Sequence, residues 1–332
     1  MLRFTQDQER VILANRRMFN QRQESMAQSF GLTNGAGLVG NALAIPRDVW
    51  GEWDREGISV QRQTMTVFND LAAAVSAPMA IGKVVHYFQT ISDSGDVNVS
   101  LDGRSKARTD KPTFDYHGTP IPVIDSAFGF GWREVEAART EGFMLDDAGR
   151  MNSMHKVAKQ LETGALDGFA NINVNGSPSY GLRTHPKRNT RATGVALNGA
   201  TGAQWVAEFT ATLKLLHGDN FKVPATIYVN WDDWFYAGST EFTSGYPKKI
   251  AQAIMEIPGV KEVVPSDTVN ANEIIPVIKD RRVVKVLNGM PMATRAQFRA
   301  NPEDDYDFVT MAAAAVEIKF DAEDNCGIAH SS

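Results

Sequence analysis

The sequence is poor in the residues through which most protein chemistry is done. Its one cysteine, Cys326, stands six places from the end of 332 residues. No intrachain disulfide and no cysteine-based zinc site can therefore form, which fits a reducing compartment. Six histidines occur (His86, His117, His155, His185, His217, His330), none paired at metal-binding spacing or completed by a carboxylate cluster. The Gly-Xaa-Ser-Xaa-Gly elbow is missing, and so is any Gly-Lys-Ser/Thr phosphate loop. No run of roughly 18 uncharged apolar residues occurs, and Met311–Val316 is far too short to span a bilayer. The first residues lack a basic stretch followed by an apolar one, so a soluble, non-secreted chain is expected. Lys and Arg number 34 against 39 acids, a net charge of -5, which argues against a dedicated nucleic-acid binder. It does not exclude a place beside DNA.

Several partial motifs fail on context. Gly35-Ala36-Gly37-Leu38-Val39-Gly40 matches the dinucleotide-binding pattern, with Asp54 or Glu56 near the expected acidic position. That loop must follow a buried strand and open a helix, yet a polar helical segment precedes it and Pro46 follows soon after. A flexible linker is the better reading. Glu303, Asp304, Asp305 and Asp307 crowd together without the ligand spacing of a calcium loop and read as a solvated acidic turn. Asp232-Asp233 has no third partner that the sequence can identify. The basic cluster Arg183, His185, Lys187, Arg188 and Arg191, beside Tyr180, is too small for a nucleic-acid surface and reads as an interface or a solvated loop.

What is present is a globular chain, 43% hydrophobic, with helical and strand patterns in alternation, hence an α+β fold. Thr5 to about Gln28 predicts a mostly polar helix that needs a partner surface, followed by a glycine-rich linker from Gly31 to Gly40. Ile45–Asp54 predicts a short amphipathic helix with proline in its first turn. Such an arm gains stability only by lying on something else. Period-two alternation from Val84 to Ile91, again at Val97, Val99 and Leu101, then at Phe114 and Tyr116, predicts two or three strands. The charged, turn-rich segment Asp102–Pro112 between them suits the tip of a projecting hairpin.

After Pro122 a strand leads into a helix expected to run to about Leu166, roughly 50 Å long at 1.5 Å per residue, with Gly142 and Gly149 as weak points and Gly164 to Gly168 as its end. Residues 171–202 look loop-rich. Thr201 then caps a helix in which Trp205, Phe209, Leu213 and Leu216 share a face, with Gly218 as the stop. Strands are expected at Ala225–Val229, Val260–Val264, Arg282–Leu287, Met292–Gln297 and Phe308–Phe320, with a helix at Lys248–Ile257.

One series of segments carries a likeness. Pro120-Ile121-Pro122-Val123-Ile124, then Phe128-Gly129-Phe130-Gly131-Trp132-Arg133-Glu134 and Ala137-Ala138-Arg139, resembles the major capsid proteins of tailed bacteriophages and their encapsulin relatives. Ile45-Pro46-Arg47-Asp48-Val49-Trp50 upstream and Pro178-Ser179-Tyr180-Gly181-Leu182 with His185-Pro186 downstream fall in the same order. The likeness covers roughly residues 45 to 190 well, and the remainder only by its α+β order.

The resemblance implies the Hong Kong 97-type capsid fold: an N-terminal arm (1–70), an extended hairpin loop (82–120), a peripheral domain with a long spine helix (121–190 and 276–332) and an axial domain (191–275). It implies a structural subunit that self-assembles as pentamers and hexamers into the icosahedral head around a phage genome; an encapsulin-type shell holding cargo enzymes is the alternative. Portal, scaffolding and decoration proteins would be further partners, packaged double-stranded DNA a non-specific neighbour and membranes no partner. The location would be the virion capsid, and the host cytoplasm during assembly. No catalytic residue, metal or cofactor is expected. Contacts between subunits are expected at Trp50, Trp53, Arg104, Lys106, Arg108, Lys111, Trp132, Arg133, Glu134 and Arg139. Some members of this fold join Lys to Asn covalently between subunits; Lys106 and Lys111 lie in the right loop, but no partner can be identified and no crosslink is expected.

Overall fold

The computed structural model describes residues 6–29, 65–95, 97–99, 101–102, 109–141, 145–245 and 247–332. It divides into two compact units, Met1–Gln61 and Arg62–Ser332. In the first, the polar helix is present as α1 (Gln6–Ser29), with Val11, Leu13 and Met18 exposed. The linker and the short helix expected at 31–54 lie outside the described residues.

The second unit opens on α2 (Val67–Val75), whose stripe of Val67, Leu71 and Val75 is fully buried. Residues 67–70, counted with the arm in the sequence reading, are its first turn. Next come β1 (Ser76–Pro78), β2 (Val85–Ile91), β3 (Phe114–Pro120) and β4 (Val123–Phe130). β2 and β3 form the expected antiparallel hairpin, in register from Val85 opposite Pro120 to Ile91 opposite Phe114. The strand expected at Val97–Leu101 is not formed: Val97, Val99 and Leu101 are almost fully exposed. Their alternation offers apolar side chains to a strand partner that the described residues do not supply.

The long helix is recorded as two segments, α3 (Trp132–Glu141) and α4 (Leu145–Leu166), residues 142–144 lying outside the description. α4 by itself is about 33 Å long. Two glycines have specific reasons. A side chain at Gly149 would meet the rings of Phe128 and Phe130 at 2.7–3.0 Å, so the glycine lets α4 lie directly on β4. Gly168, at φ +72, takes the left-handed turn that ends the helix.

The region expected to be loop-rich holds β5 (Gly168–Val174), β6 (Ser177–Tyr180) and β7 (Asn189–Arg191). β5 and β6 pair around Asn175-Gly176, both at positive φ, a turn with too little flanking alternation to read as a hairpin. α5 (Gly202–Gly218) is capped by Thr201 as expected, and the cap is a full capping box: Thr201 accepts from the Gln204 amide and the Gln204 side chain accepts from the Thr201 amide. Trp205, Phe209, Leu213 and Leu216 are buried as expected. There follow β8 (Ala225–Asn230), α6 (Trp231–Ser239), α7 (Ile250–Met255), β9 (Val260–Ser266), β10 (Ile274–Val277), β11 (Val284–Ala296), β12 (Tyr306–Ile318) and β13 (Ala329–Ser331). The two strands expected at 282–287 and 292–297 are one, β11. Gly289 and Pro291 interrupt the alternation, and the ladder absorbs them as register shifts between Asn288 and Ala293.

Two main sheets result. One has the order β1-β11-β12-β4, the other β7-β13-β10-β8-β9. β11 and β12 belong to the first sheet and β13 to the second, so the tail serves both. The alanine run of β12 explains how a helix fits on the first sheet: Ala312 and Ala314 meet Val157 and Leu161 of α4, while Ala313 and Ala315 meet Ile121 and Leu287 on the other face. Small side chains let backbone layers approach where larger ones would hold them apart.

One carboxylate fastens these parts. Glu162 of α4 is 1% exposed and accepts hydrogen bonds from the amides of Val67 (3.0 Å) and Phe68 (2.7 Å), which begin α2. It also accepts from Thr268 Oγ1 at 2.8 Å. A charged acceptor at a helix N-terminus satisfies donors the helix cannot. Glu162→Ala should lower stability by about 3 kcal/mol, because buried amides lose their only acceptor. A loss under about 1 kcal/mol in urea unfolding would remove this assignment.

Candidate assembly surface

The hairpin alternates between two functions. His86, Phe88, Thr90, His117 and Thr119 turn towards the body. Phe88, His117 and Phe320 pack with ring centroids 4.5–5.7 Å apart, and His185 joins them at 5.6 Å from Phe320. His86 Nδ1 lies 2.5 Å from Glu317 Oε1, whose side chain is fully buried in β12. The second carboxylate oxygen, Oε2, makes no hydrogen bond and faces Lys319 Nζ at 3.8 Å. The opposite face of the hairpin carries Tyr87, Ile91, Phe114 and Tyr116, each 49–64% exposed. A contiguous apolar face on a two-stranded ribbon marks an interaction surface. A cleft of about 850 Å³ lies between this hairpin root and the β5–β6 pair, with Tyr180, His185 and Lys187 on its wall.

The residues expected at contacts between subunits fall in separate places. Trp132, Arg133 and Glu134 share the exposed first turn of α3. The Arg133 guanidinium stacks 5.5 Å from the Trp132 ring, and Glu134 accepts from the Gly131 amide at 3.2 Å. Lys111 is exposed on the hairpin, apart from that group. Trp50, Trp53, Arg104, Lys106 and Arg108 lie outside the described residues, as does the side chain of Arg139. Sequence reading did not single out the hairpin face Tyr87/Ile91/Phe114/Tyr116, nor Trp231 and Phe235 of α6, which are also exposed. A signal existed: β2 has apolar side chains on both faces although only one can be covered by its own chain.

The basic cluster of 183–191 is turned inward. Arg183 Nε and Nη2 donate to both oxygens of Glu273 (2.6 and 2.7 Å), and Nη1 donates to Asp167. Lys187 pairs with Asp324, and Arg191 with Glu208. Arg188 Nη1 donates to the His185 carbonyl. These cations are internal staples rather than a phosphate surface. Asp233 is likewise structural, accepting from the Asn272 amide at 2.7 Å inside α6. In the acidic turn, Asp304 accepts from the amides of Ala300 and Asn301, and Arg299 stacks 3.6 Å from the Tyr306 ring. Among the described residues no three His, Cys, Asp or Glu side chains are grouped to hold a metal ion. Nor is any described helix long and apolar enough to cross a membrane.

Comparison with known proteins sets this geometry in context. The model of a family described as a family of unknown function, DUF6260, matches residues 40–331. No curated protein matches. Among solved structures, the capsid of Myoviridae phage XM1 superposes with a TM-score of 0.70 at 11% identity, covering 87% of this chain and 98% of the other. The capsid of a native GTA particle gives 0.59 at 13% identity, covering 90% and 98%. A virus-like particle from Pyrococcus furiosus gives 0.55 at 13%, covering 80% and 94%. The chain thus has the α+β, Hong Kong 97-type fold that its segment order implied.

Two buried groups near the staples make stability depend on pH. Burial, with the charges of Arg188, Lys187 and His117, pushes the His185 imidazole down to about 4 from 6.5. Burial would raise the Glu273 carboxyl, but hydrogen bonds from His330 and Arg183 outweigh it and hold the group at about 2, below 4.5. Between each pair of values the unfolded chain binds the proton and the folded one does not, so both windows lose stability as pH falls. Each window is worth about 3 kcal/mol. His185→Gln should flatten the decline between pH 6.5 and 4, and Glu273→Gln the decline below 4.5. Urea midpoints at pH 7, 5, 4 and 3 read this directly. Equal slopes for wild type and His185→Gln in the upper window would overturn the first assignment.

Proposed function

The chain belongs to the DUF6260 family, and we propose that it is a structural subunit that assembles with copies of itself into the closed icosahedral shell of a tailed phage. The observation that carries this reading is the whole-length likeness to assembled capsids, spanning nearly all of the XM1 subunit. The exposed apolar hairpin face supports it, because nothing among the described residues covers that face. Head-to-tail contacts around five-fold and six-fold centres close into rings, and hairpins and arms that lap onto neighbours join ring to ring. Many modest contacts per subunit then sum to a stable wall.

In this reading the hairpin tip, with Arg104, Lys106, Arg108 and Lys111, sets register against acids next door, and Trp132, Arg133, Glu134 and Arg139 form a second contact. Trp50 and Trp53 belong to an arm that lies on a neighbour. The peripheral domain comprises 121–190 and 276–332, and the axial domain 191–275. Working parts are surfaces rather than a catalytic centre. The shell encloses double-stranded DNA by proximity, forms in the host cytoplasm and meets portal, scaffolding and decoration proteins. The likeness to the Pyrococcus furiosus virus-like particle favours a second reading, an encapsulin-type compartment for cargo enzymes. Contents separate the two: DNA in purified particles supports the first, and a co-purified enzyme the second.

The chain expressed and purified should yield closed particles by electron microscopy. Deletion of residues 103–111 should abolish or malform them; intact particles from the deleted chain would sink the role given to the hairpin tip.

A further inference from the structure

The helical layer of the five-stranded sheet carries a ridge and a groove, neither of them filled among the described residues. The geometry points to a head-to-tail contact in which the Trp231/Phe235 ridge of one copy seats in the groove between α5 and α7 of a second copy of this chain.

The ridge follows from helix geometry. Trp231 and Phe235 are four residues apart on α6 and therefore share a face; they are 46% and 71% exposed, while Asp233 and Ala237 on the inner face are buried. Two exposed aromatic rings side by side are the side chains most enriched where proteins meet. The groove, about 500 Å³, has Leu213 of α5 on one wall and Ala253, Ile257 and Pro258 on the other. Its lining is mostly apolar, with Thr210, Lys214, His217 and Glu256 also on it, and its volume takes an aromatic ring.

Charge separates the two features in the same sense. Asp232 stands exposed beside the ridge, and Lys214 stands exposed on the groove rim. Neither has an ion-pair partner among the described residues. Glu256, the acid on the rim, is already paired with Lys248. An acid thus travels with the ridge and an unpaired base with the groove, which favours this pairing over ridge against ridge.

Topology makes the partner a second copy. Trp231 follows directly on Asn230, which pairs with Ser266 at one end of β8. Pro258 lies just before Val260, which pairs with Ala225 at the other end. Six strand residues, about 20 Å, separate them. A ridge cannot fill the groove of its own chain, but a neighbouring copy can present its ridge there while offering its own groove onward. Such a heterologous contact repeats and closes into a ring when the rotation allows. Only the closure into rings rests on the shell reading; the contact itself does not.

Cysteines report the contact in the full chain. Native Cys326 is buried, its thiol pushed up to about 12, and does not compete. Under mild oxidation the double variant Phe235→Cys/Ala253→Cys should give a ladder of covalent multimers. An equimolar mixture of the two single variants should give dimers only, and each single variant alone monomers. Phe235→Asp should reduce particle yield at least tenfold, with circular dichroism and urea midpoint unchanged. Particles from Phe235→Asp at wild-type yield, with no ladder, would overturn the contact and leave the shell reading standing. Lost particles without a ladder would overturn the groove as the seat of the ridge. A wild-type chain that never self-associates would overturn both.

Discussion

Everything in the main unit is referred to the buried carboxylate of Glu162. A carboxyl group at 1% exposure is costly unless its oxygens are satisfied. Here the donors come from two places distant in sequence from the acid, the start of α2 and the loop after β9. Withdrawing either leaves a buried carboxylate short of a donor. The apolar contacts around it, such as Val157 and Leu161 against Ala312 and Ala314, are stronger in sum but less selective. Hydrophobic burial makes the layers adhere, and the carboxylate fixes which turn of α4 faces which residue of α2.

A second group of charges does the same for the later half of the chain. Arg183 grips Glu273 with two parallel hydrogen bonds, and His330 reaches the same carboxylate at 2.6 Å. The end of the chain is thereby tied to the loop after the spine helix. Sequence reading could find the basic residues but not their destinations, because Glu273 stands 90 positions from Arg183 and no local pattern links them.

The parts legible in advance were those governed by local periodicity. Thr201 as a cap, the Trp205–Leu216 stripe and the alternation of Val85–Ile91 each carry their structure in a few neighbouring residues. What escaped depended on partners elsewhere. β11 looked like two strands because Gly289 and Pro291 break its pattern, while thirteen residues of β12 hold it together. Gly149 looked like a helix weakness, yet its lack of a side chain is what admits Phe128 and Phe130. Val97–Leu101 erred the other way: the alternation is there, and the described residues provide no ladder to receive it. Of the candidate surface, the charged and tryptophan positions were visible by residue type. The apolar hairpin face and the α6 ridge were not, since their meaning lies in what fails to cover them.

The hairpin root behaves mechanically as a fulcrum. Its fastenings, the His86–Glu317 pair and the rings of Phe88, His117 and Phe320, hold only one side of a ribbon whose paired strands run seven residues, about 23 Å. Over that lever arm, a tilt of about 5° at the root shifts the far pair, Ile91 and Phe114, by about 2 Å. Sub-ångström adjustments in packing around the His86–Glu317 contact are thereby magnified to the size of an atomic contact at the end of the ribbon. Pivoting there presents the exposed face of the ribbon over a range of angles.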